Sequence, residues 1–139
     1  MRQNFEEVIK HTKGRGLYDI TSEIINWVAV QEIQDGLLTL HIQHTSASLL
    51  LNENYDSDVQ KDIESFFSRL VEDGDSLFTH TTEGEDDMPA HIRTALTQIS
   101  ISIPVRSKKI LLGQWQGIYI FEHRYNEFDR KVNVHLIGE

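Results

Sequence analysis

The C-terminal third of the chain constrains its fold most strongly. Four segments there, ISIPV, KKILL, GIYIFEHRY and KVNVHLIG, are rich in β-branched, aliphatic and aromatic residues. Such segments, separated by polar or turn-forming residues, predict strands rather than helices. In GIYIFEHRY both alternating faces are half apolar, which predicts burial on both sides. The fold must therefore contain at least one sheet.

Helices are predicted further towards the N-terminus. Apolar residues recur at helical spacing within LYDITSEIINWVAVQEI, from Asp56 to Leu70, and between Pro89 and Ile99. Pro89 would stand in the first turn of the third helix, where its missing amide costs nothing. NFEEVIKHT, LLTLHIQHT and SASLLLNEN predict further strands. We expect an α+β fold of two packed, mostly antiparallel, sandwich-like sheets with two or three helices.

Length and composition limit the class of protein. The 139 residues, 39% of them hydrophobic, predict one domain spanning residues 1–139. A net charge of −9 without a basic run argues against nucleic acid as a partner. The chain has no cysteine, which excludes disulfides and thiolate metal sites. Because no apolar stretch is long enough to cross a bilayer, we expect a cytoplasmic protein without a membrane partner.

The segment HTTEGEDDMPAHI, residues 80–92, concentrates potential ligands and acid/base groups. His80 and His91 flank several carboxylates, including Glu83 and Asp87. Histidine and carboxylate side chains are common ligands of protein-bound metal ions. His91 would lie in the first helical turn, where the dipole favours a neutral ring. His44, at the end of the apolar face of LLTLHIQHT, is a third candidate. A solvated loop whose aspartate caps the helix is the alternative.

The segment HTSAS, residues 44–48, places hydroxyl groups beside an imidazole. On a strand His44 shares a face with Ser46 but not with Thr45. A serine nucleophile would also need a third, orienting group, and no GxSxG motif is present. We therefore predict that Thr45 and Ser46 hydrogen-bond a substrate oxygen or phosphate.

Trp115 lies between two glutamines and, beyond them, between Gly113 and Gly117. Glycines allow a ligand or a neighbouring subunit to approach the backbone closely, and packing within a turn is the alternative explanation.

Five basic residues are candidates for binding an anion, and the alternative is that each of them is only solvated. The candidates are Arg93, Arg106, Lys108, Lys109 and Arg124.

Three motifs in this order, HTSASLLLNEN, EGEDDMPAHI and LLGQWQGIYIFEHR, resemble the YjbQ family, also called uncharacterised protein family 0047 (UPF0047). The likeness covers nearly the whole chain. Two positions depart from the family pattern. Lys108 stands where the family usually has Gly, and Gln114 stands where it usually has Ser or Thr.

The resemblance implies a compact α+β domain that assembles as a homotrimer and carries a histidine metal cluster. Carried over position by position, His44, His80 and His91 are the expected ligands of a divalent metal. Zinc is the expected ion, with magnesium or another first-row metal as the alternative. Glu83 and Asp87 are then the expected catalytic groups.

The resemblance also implies a reaction, because family members are labelled secondary thiamine-phosphate synthases. That reaction joins a pyrimidine pyrophosphate to a thiazole phosphate and expels pyrophosphate, so small phosphorylated substrates are expected. The residues predicted to bind these substrates are Thr45, Ser46, Trp115, Gln116 and Arg124. Two alternatives stay open: a metal-assisted hydrolase of a small phosphorylated metabolite, and a non-catalytic trimeric module that binds a metal or ligand.

Overall fold

The computed structural model describes all 139 residues and contains three helices and eight strands. No helix is both long enough and apolar enough to cross a membrane. The elements follow one another as β1 (Arg2–Lys13), β2 (Gly16–Asp19), α1 (Thr21–Ala29), β3 (Gly36–Ile42), β4 (Ala47–Glu53), α2 (Ser57–Leu70), α3 (Asp87–Leu96), β5 (Ser100–Arg106), β6 (Lys109–Ile110), β7 (Gln116–Glu122) and β8 (Glu127–Gly138).

Two antiparallel sheets form the fold, as the sequence predicts. One has the strand order β1-β8-β3-β5-β6 and the other the order β2-β7-β4. A cluster of 17 buried apolar residues, drawn from both sheets and from α1, forms the core between them. Alternation explains the layering: in β3, Leu38, Leu40 and Ile42 are buried while Leu37 and His41 are exposed.

β7 is the central strand of the smaller sheet and is buried on both faces, as predicted. Ile118 and Ile120 belong to the core between the sheets. The opposite face of β7 meets α2, since the Phe121 ring lies edge-on to Phe67 with 5.5 Å between centroids. Gln60 of the same helix donates a hydrogen bond to the Tyr119 hydroxyl at 3.3 Å.

The first predicted helix is confirmed, since Ile24, Trp27 and Val28 lie on α1 and the Asp19 side chain accepts the Thr21 amide at 2.8 Å. The residues before it, Leu17–Asp19, form β2, which pairs with β7 so that Leu17 lies opposite Phe121. β3 ends at Ile42, so His44 lies in the loop before β4 rather than on the predicted strand face.

The third helix begins two residues before Pro89, which stands in the first turn as predicted. His91 is the fifth helical residue and therefore starts the second turn, not the first. Its distance from the helix terminus weakens the predicted dipole effect on the ring. The helix ends at Leu96, so Ile99 lies beyond it.

Candidate metal centre

The start of α3 and the loop before it bring four potential ligands together. Asp87 and His91 are four residues apart and so lie on one face of the helix. His80 and Glu83 come from the preceding loop, and ligand atoms of all four residues lie within 4.8 Å of one another. Asp87 Oδ2 is 2.6 Å from His80 Nε2 and 3.1 Å from His91 Nε2. The sequence therefore placed all four side chains in one segment, and the fold makes them converge.

The hydrogen bond of His91 to the Thr45 backbone determines which ring nitrogen carries the proton. His91 Nδ1 is 2.8 Å from the Thr45 carbonyl oxygen, which can only accept, so Nδ1 donates. A neutral ring then has its lone pair on Nε2, directed at a carboxylate oxygen 3.1 Å away. Two lone pairs at that distance repel unless a proton or a cation lies between them. The donor set and its orientation thus fit a metal ion.

Arg124 hydrogen-bonds the carboxylates of Asp86 and Asp87. Its Nη1 donates to Asp87 Oδ1 at 2.6 Å, its Nε to Asp86 Oδ2 at 3.0 Å and its Nη2 to the Glu83 carbonyl at 2.8 Å. Burial alone would raise the pKa of Asp87, but hydrogen bonds with His80 and Glu83 and the charge of Arg124 hold it below its usual value. The guanidinium predicted to bind substrate is therefore occupied in positioning the acidic loop.

Arg15, in the turn between β1 and β2, anchors the other end of this loop. Its side chain is 4% exposed and makes two hydrogen bonds to Asp73, at 2.7 and 2.9 Å. Its Nε also donates to the His123 carbonyl at 2.7 Å. The sequence identified GRG only as a turn, because nothing local indicates a partner 58 residues away.

His44 lies outside the group formed by His80, Glu83, Asp87 and His91. Its Nε2 accepts a hydrogen bond from the Lys131 amide at 2.9 Å. Burial, followed by the charge of Arg130, lowers the pKa of His44, so the ring is neutral. With Nε2 accepting, the ring proton is on Nδ1. This arrangement leaves no free imidazole lone pair with which His44 could join the cluster.

Thr45 and Ser46 were predicted to hydrogen-bond a substrate, and in the structure both make hydrogen bonds within the chain. The Thr45 carbonyl orients His91, while its exposed side chain borders the groove next to that ring. Ser46 is buried, and its Oγ accepts a hydrogen bond from Arg130 Nη2 at 3.0 Å. The structure therefore keeps Thr45 accessible to a ligand and gives Ser46 an internal partner.

A buried charged network at the end of β7 was missed by the sequence analysis. Glu122 is fully buried, pairs with Arg130 at 2.6 and 2.7 Å, and accepts the amides of His123 and Arg124. By receiving these amides it fixes the backbone that carries the Arg124 guanidinium. The available signal was the motif EHR at the end of a strand predicted to be buried, because buried charges require partners.

His123 is a structural residue within the same network. Arg93 Nε donates to its Nδ1 at 3.1 Å, so the opposite nitrogen, Nε2, carries the proton and donates to Ser48 Oγ at 2.8 Å. Burial, followed by the charge of Arg93, lowers the pKa of His123 to about 2. The ring therefore stays uncharged and is not available as a base for Ser48.

Trp115 and Gln116 lie away from the cluster within this chain. They stand at the start of β7 and Arg124 follows its end, and the six steps of the strand alone span roughly 20 Å. Gln116 Oε1 accepts the Gly113 amide at 2.7 Å, and Trp115 packs against Tyr55 with 4.9 Å between ring centroids. The Gln116 contact closes the turn, whereas Trp115 packs against a residue of the loop between β4 and α2 and remains half-exposed.

Apart from Arg124, the predicted anion-binding residues do not converge on the cluster. Arg93 is fully buried between Glu64 and His123. Arg106, Lys108 and Lys109 lie at the turn between β5 and β6, where Lys108 donates its amide to the Gln34 carbonyl at 2.8 Å. The charge of an anionic ligand would therefore have to be balanced chiefly by a metal ion.

Comparison with known proteins identifies the family. The model of the YjbQ-like UPF0047 proteins matches residues 6–139. The chain belongs to the UPF0047 family. A UPF0047 protein of Synechocystis is 44% identical and covers 99% of this chain and 94% of its own length. The UPF0047 protein YjbQ of Escherichia coli O157:H7 is also 44% identical, over 91% of this chain and 92% of its own.

Solved UPF0047 structures share the fold. A YjbQ/UPF0047 protein of Clostridium acetobutylicum, described as uncharacterised, superposes with a TM-score of 0.85 at 32% identity, over 95% of this chain and 99% of its own. A protein of unknown function from Sulfolobus solfataricus gives 0.86 at 22% identity, over 99% and 100%. That second likeness concerns the fold alone. The comparisons thus confirm the resemblance drawn from the three sequence motifs and assign no reaction.

Proposed function

We propose that this UPF0047 protein is a divalent-metal-dependent enzyme whose metal is held by His80, Asp87 and His91, with Glu83 at the rim. The observation that carries the proposal is the convergence of His80 Nε2 and His91 Nε2 on Asp87 Oδ2, with the His91 ring oriented by the Thr45 carbonyl. Two imidazole nitrogens with carboxylate oxygens suit zinc or another first-row metal better than magnesium, which prefers an all-oxygen shell.

The chain's own residues supply orientation and proton handling. When bound, a divalent cation supplies a Lewis acid for a phosphoryl oxygen or for water. Thr45 and Arg124 lock the His91 ring and the Asp87 carboxylate, which is the outer-partner arrangement typical of metal sites. Glu83 is 64% exposed and its Oε2 is 3.5 Å from His80 Nε2, so it can accept a proton from a substrate or water at the rim.

The substrate is proposed to be a small phosphorylated molecule, and two reactions fit this class. Thiamine-phosphate formation, with pyrophosphate as leaving group, is supported by the sequence motifs and would use the cation to stabilise the departing anion. Hydrolysis is supported by the exposure of the centre, since His80 and Glu83 are 43% and 64% exposed and water has direct access.

We also propose that the protein assembles as a homotrimer. The supporting observation is a set of large apolar side chains left exposed, including Phe5 and Ile9 on β1 and Phe66 and Leu70 on α2. Exposed apolar patches are typical of association surfaces. Native mass spectrometry should give three times the chain mass, and a single-chain mass at micromolar concentration would contradict the assembly.

One experiment separates the proposed reactions. Zinc-loaded protein is incubated with the pyrimidine pyrophosphate and the thiazole phosphate, together and singly, and products are separated by chromatography. Coupling supports the synthase, and phosphate or pyrophosphate release from a single substrate supports the hydrolase. Glu83→Gln should reduce the turnover rate about a hundredfold or more, while the protein retains its zinc. Glu72→Gln, at an exposed position outside the cluster, is the control. No product in either assay would leave only a binding module.

A further inference from the structure

We propose that the groove between His44 and His91 binds an uncharged, ring-shaped part of the substrate beside the metal centre. The groove has a volume of about 370 Å³, at the lower end of the range for small-molecule sites. Its walls include Thr45, Thr94 and Ala95. Because His91 belongs to both the groove and the cluster, the inference rests on the proposed function and specifies its substrate.

The charges around the centre favour a neutral group in this groove. No lysine, arginine or carboxylate lines it. The cavity on the other side, next to His80, has a similar volume of about 340 Å³ but is lined by Asp75 and Glu85. A phosphorylated substrate would thus be repelled from the acidic cavity, with its anionic group at the cation and its uncharged part in the groove.

Thr94 provides the second observation that points to a ligand. It lines the groove and is only 7% exposed, yet its Oγ1 is buried and has no hydrogen-bond partner within the chain. Buried hydroxyl groups are almost always paired, and an orphan favours the binding of a group that pairs with it. A nitrogen or oxygen atom of a groove ligand supplies that partner once the Thr94 side chain turns towards the groove.

His44 provides a fixed donor for the same ligand. Its Nε2 accepts the Lys131 amide, so its Nδ1 carries a proton, and that N–H has no partner within the chain. Carbonyl oxygens and pyridine-type nitrogens accept such a bond. The occupant is therefore a compact neutral ring with at least one acceptor, and His44 is a substrate-positioning residue.

Titration of the ¹⁵N-labelled, metal-free full chain with 2-pyridone tests the groove by NMR. The amides of Thr94, Ala95 and Thr97 should shift, and benzoate, the anionic probe, should bind at least about tenfold more weakly. Ala95→Phe fills the groove from an exposed helix position and should weaken 2-pyridone at least about tenfold. Leu96→Phe, which lines a different cavity, should leave the affinity unchanged.

A second pair of variants tests the donor. His44→Phe should weaken 2-pyridone binding about three- to tenfold, the value of one hydrogen bond, and His44→Gln, which keeps an N–H, should recover part of it. Unchanged binding in Ala95→Phe, or shifts confined to other elements, would overturn the inference. Zinc titration of the same samples keeps the two proposals apart. Ring binding without zinc binding would remove the proposed function and leave the groove.

Discussion

The His91 ring and the Thr45 carbonyl are joined by a hydrogen bond of 2.8 Å across the gap between α3 and the loop that precedes β4. This single contact fixes the tautomer of the ring and directs its second nitrogen at Asp87. The same type of contact, from a ligating histidine to a backbone carbonyl, recurs at protein metal sites. The cluster is thus oriented by contacts within the chain, because the loop before β4 holds Thr45 and α3 holds His91.

Arg124→Met should destabilise the protein by about 3–5 kcal/mol, because it leaves the Asp86 and Asp87 carboxylates without their buried partner. Urea unfolding of the metal-free protein measures the change. Arg106→Met, at an exposed position of β5, should alter the unfolding free energy by less than about 0.5 kcal/mol. Equal stability of the two variants would show that Arg124 does not support the acidic loop.

His123 should make the protein sensitive to acid. Its pKa is about 2 in the folded chain and about 6.5 when exposed. Since the folded value is the lower one, its stabilisation is complete above pH 6.5 and declines as the pH falls, by about 1.4 kcal/mol per pH unit. The stability of His123→Gln should therefore fall about 1.4 kcal/mol less than that of the wild type between pH 5.5 and 4.5. Parallel pH profiles would refute the assignment.

Replacing Lys108 by glycine should stabilise the protein. Its φ of +63° is in the left-handed region, which is unfavourable for residues with a Cβ. Lys108→Gly should therefore raise the unfolding free energy by up to about 1 kcal/mol, while Lys109→Gly, in the adjacent strand, should lower it by about 0.5–1 kcal/mol. Thermal denaturation of both variants gives the signs. A loss of stability in Lys108→Gly would show that its side-chain contacts outweigh the backbone strain.

The predictable features are those encoded by local periodicity. The strand alternation in β3 and β7 and the apolar stripe of α2 gave the α+β fold with two sheets, and the cluster segment was located by its density of ligands. β2 was not predicted, because the pairing of Leu17–Asp19 with β7 is not visible locally.

The partners of buried charges were equally hidden from sequence. Arg124 is 37 residues from Asp87, and Arg130 is 84 residues from Ser46, so only the assembled sheets bring them together. His44 was grouped with His80 and His91 because the family resemblance implied a shared histidine cluster. The loop after β3 instead turns it towards Lys131. Sequence therefore identifies candidate ligands, whereas the fold decides which of their lone pairs meet.

The most direct test of the metal centre is zinc binding to three single variants, measured by calorimetry and elemental analysis of the chelator-treated, reloaded protein. We predict that the wild type and His44→Gln bind one zinc ion per chain with similar affinity. His80→Gln and His91→Gln should lose about a hundredfold or more in affinity, beyond the tenfold to hundredfold typical of losing an outer partner. Loss of zinc in His44→Gln with retention in His91→Gln would contradict the account.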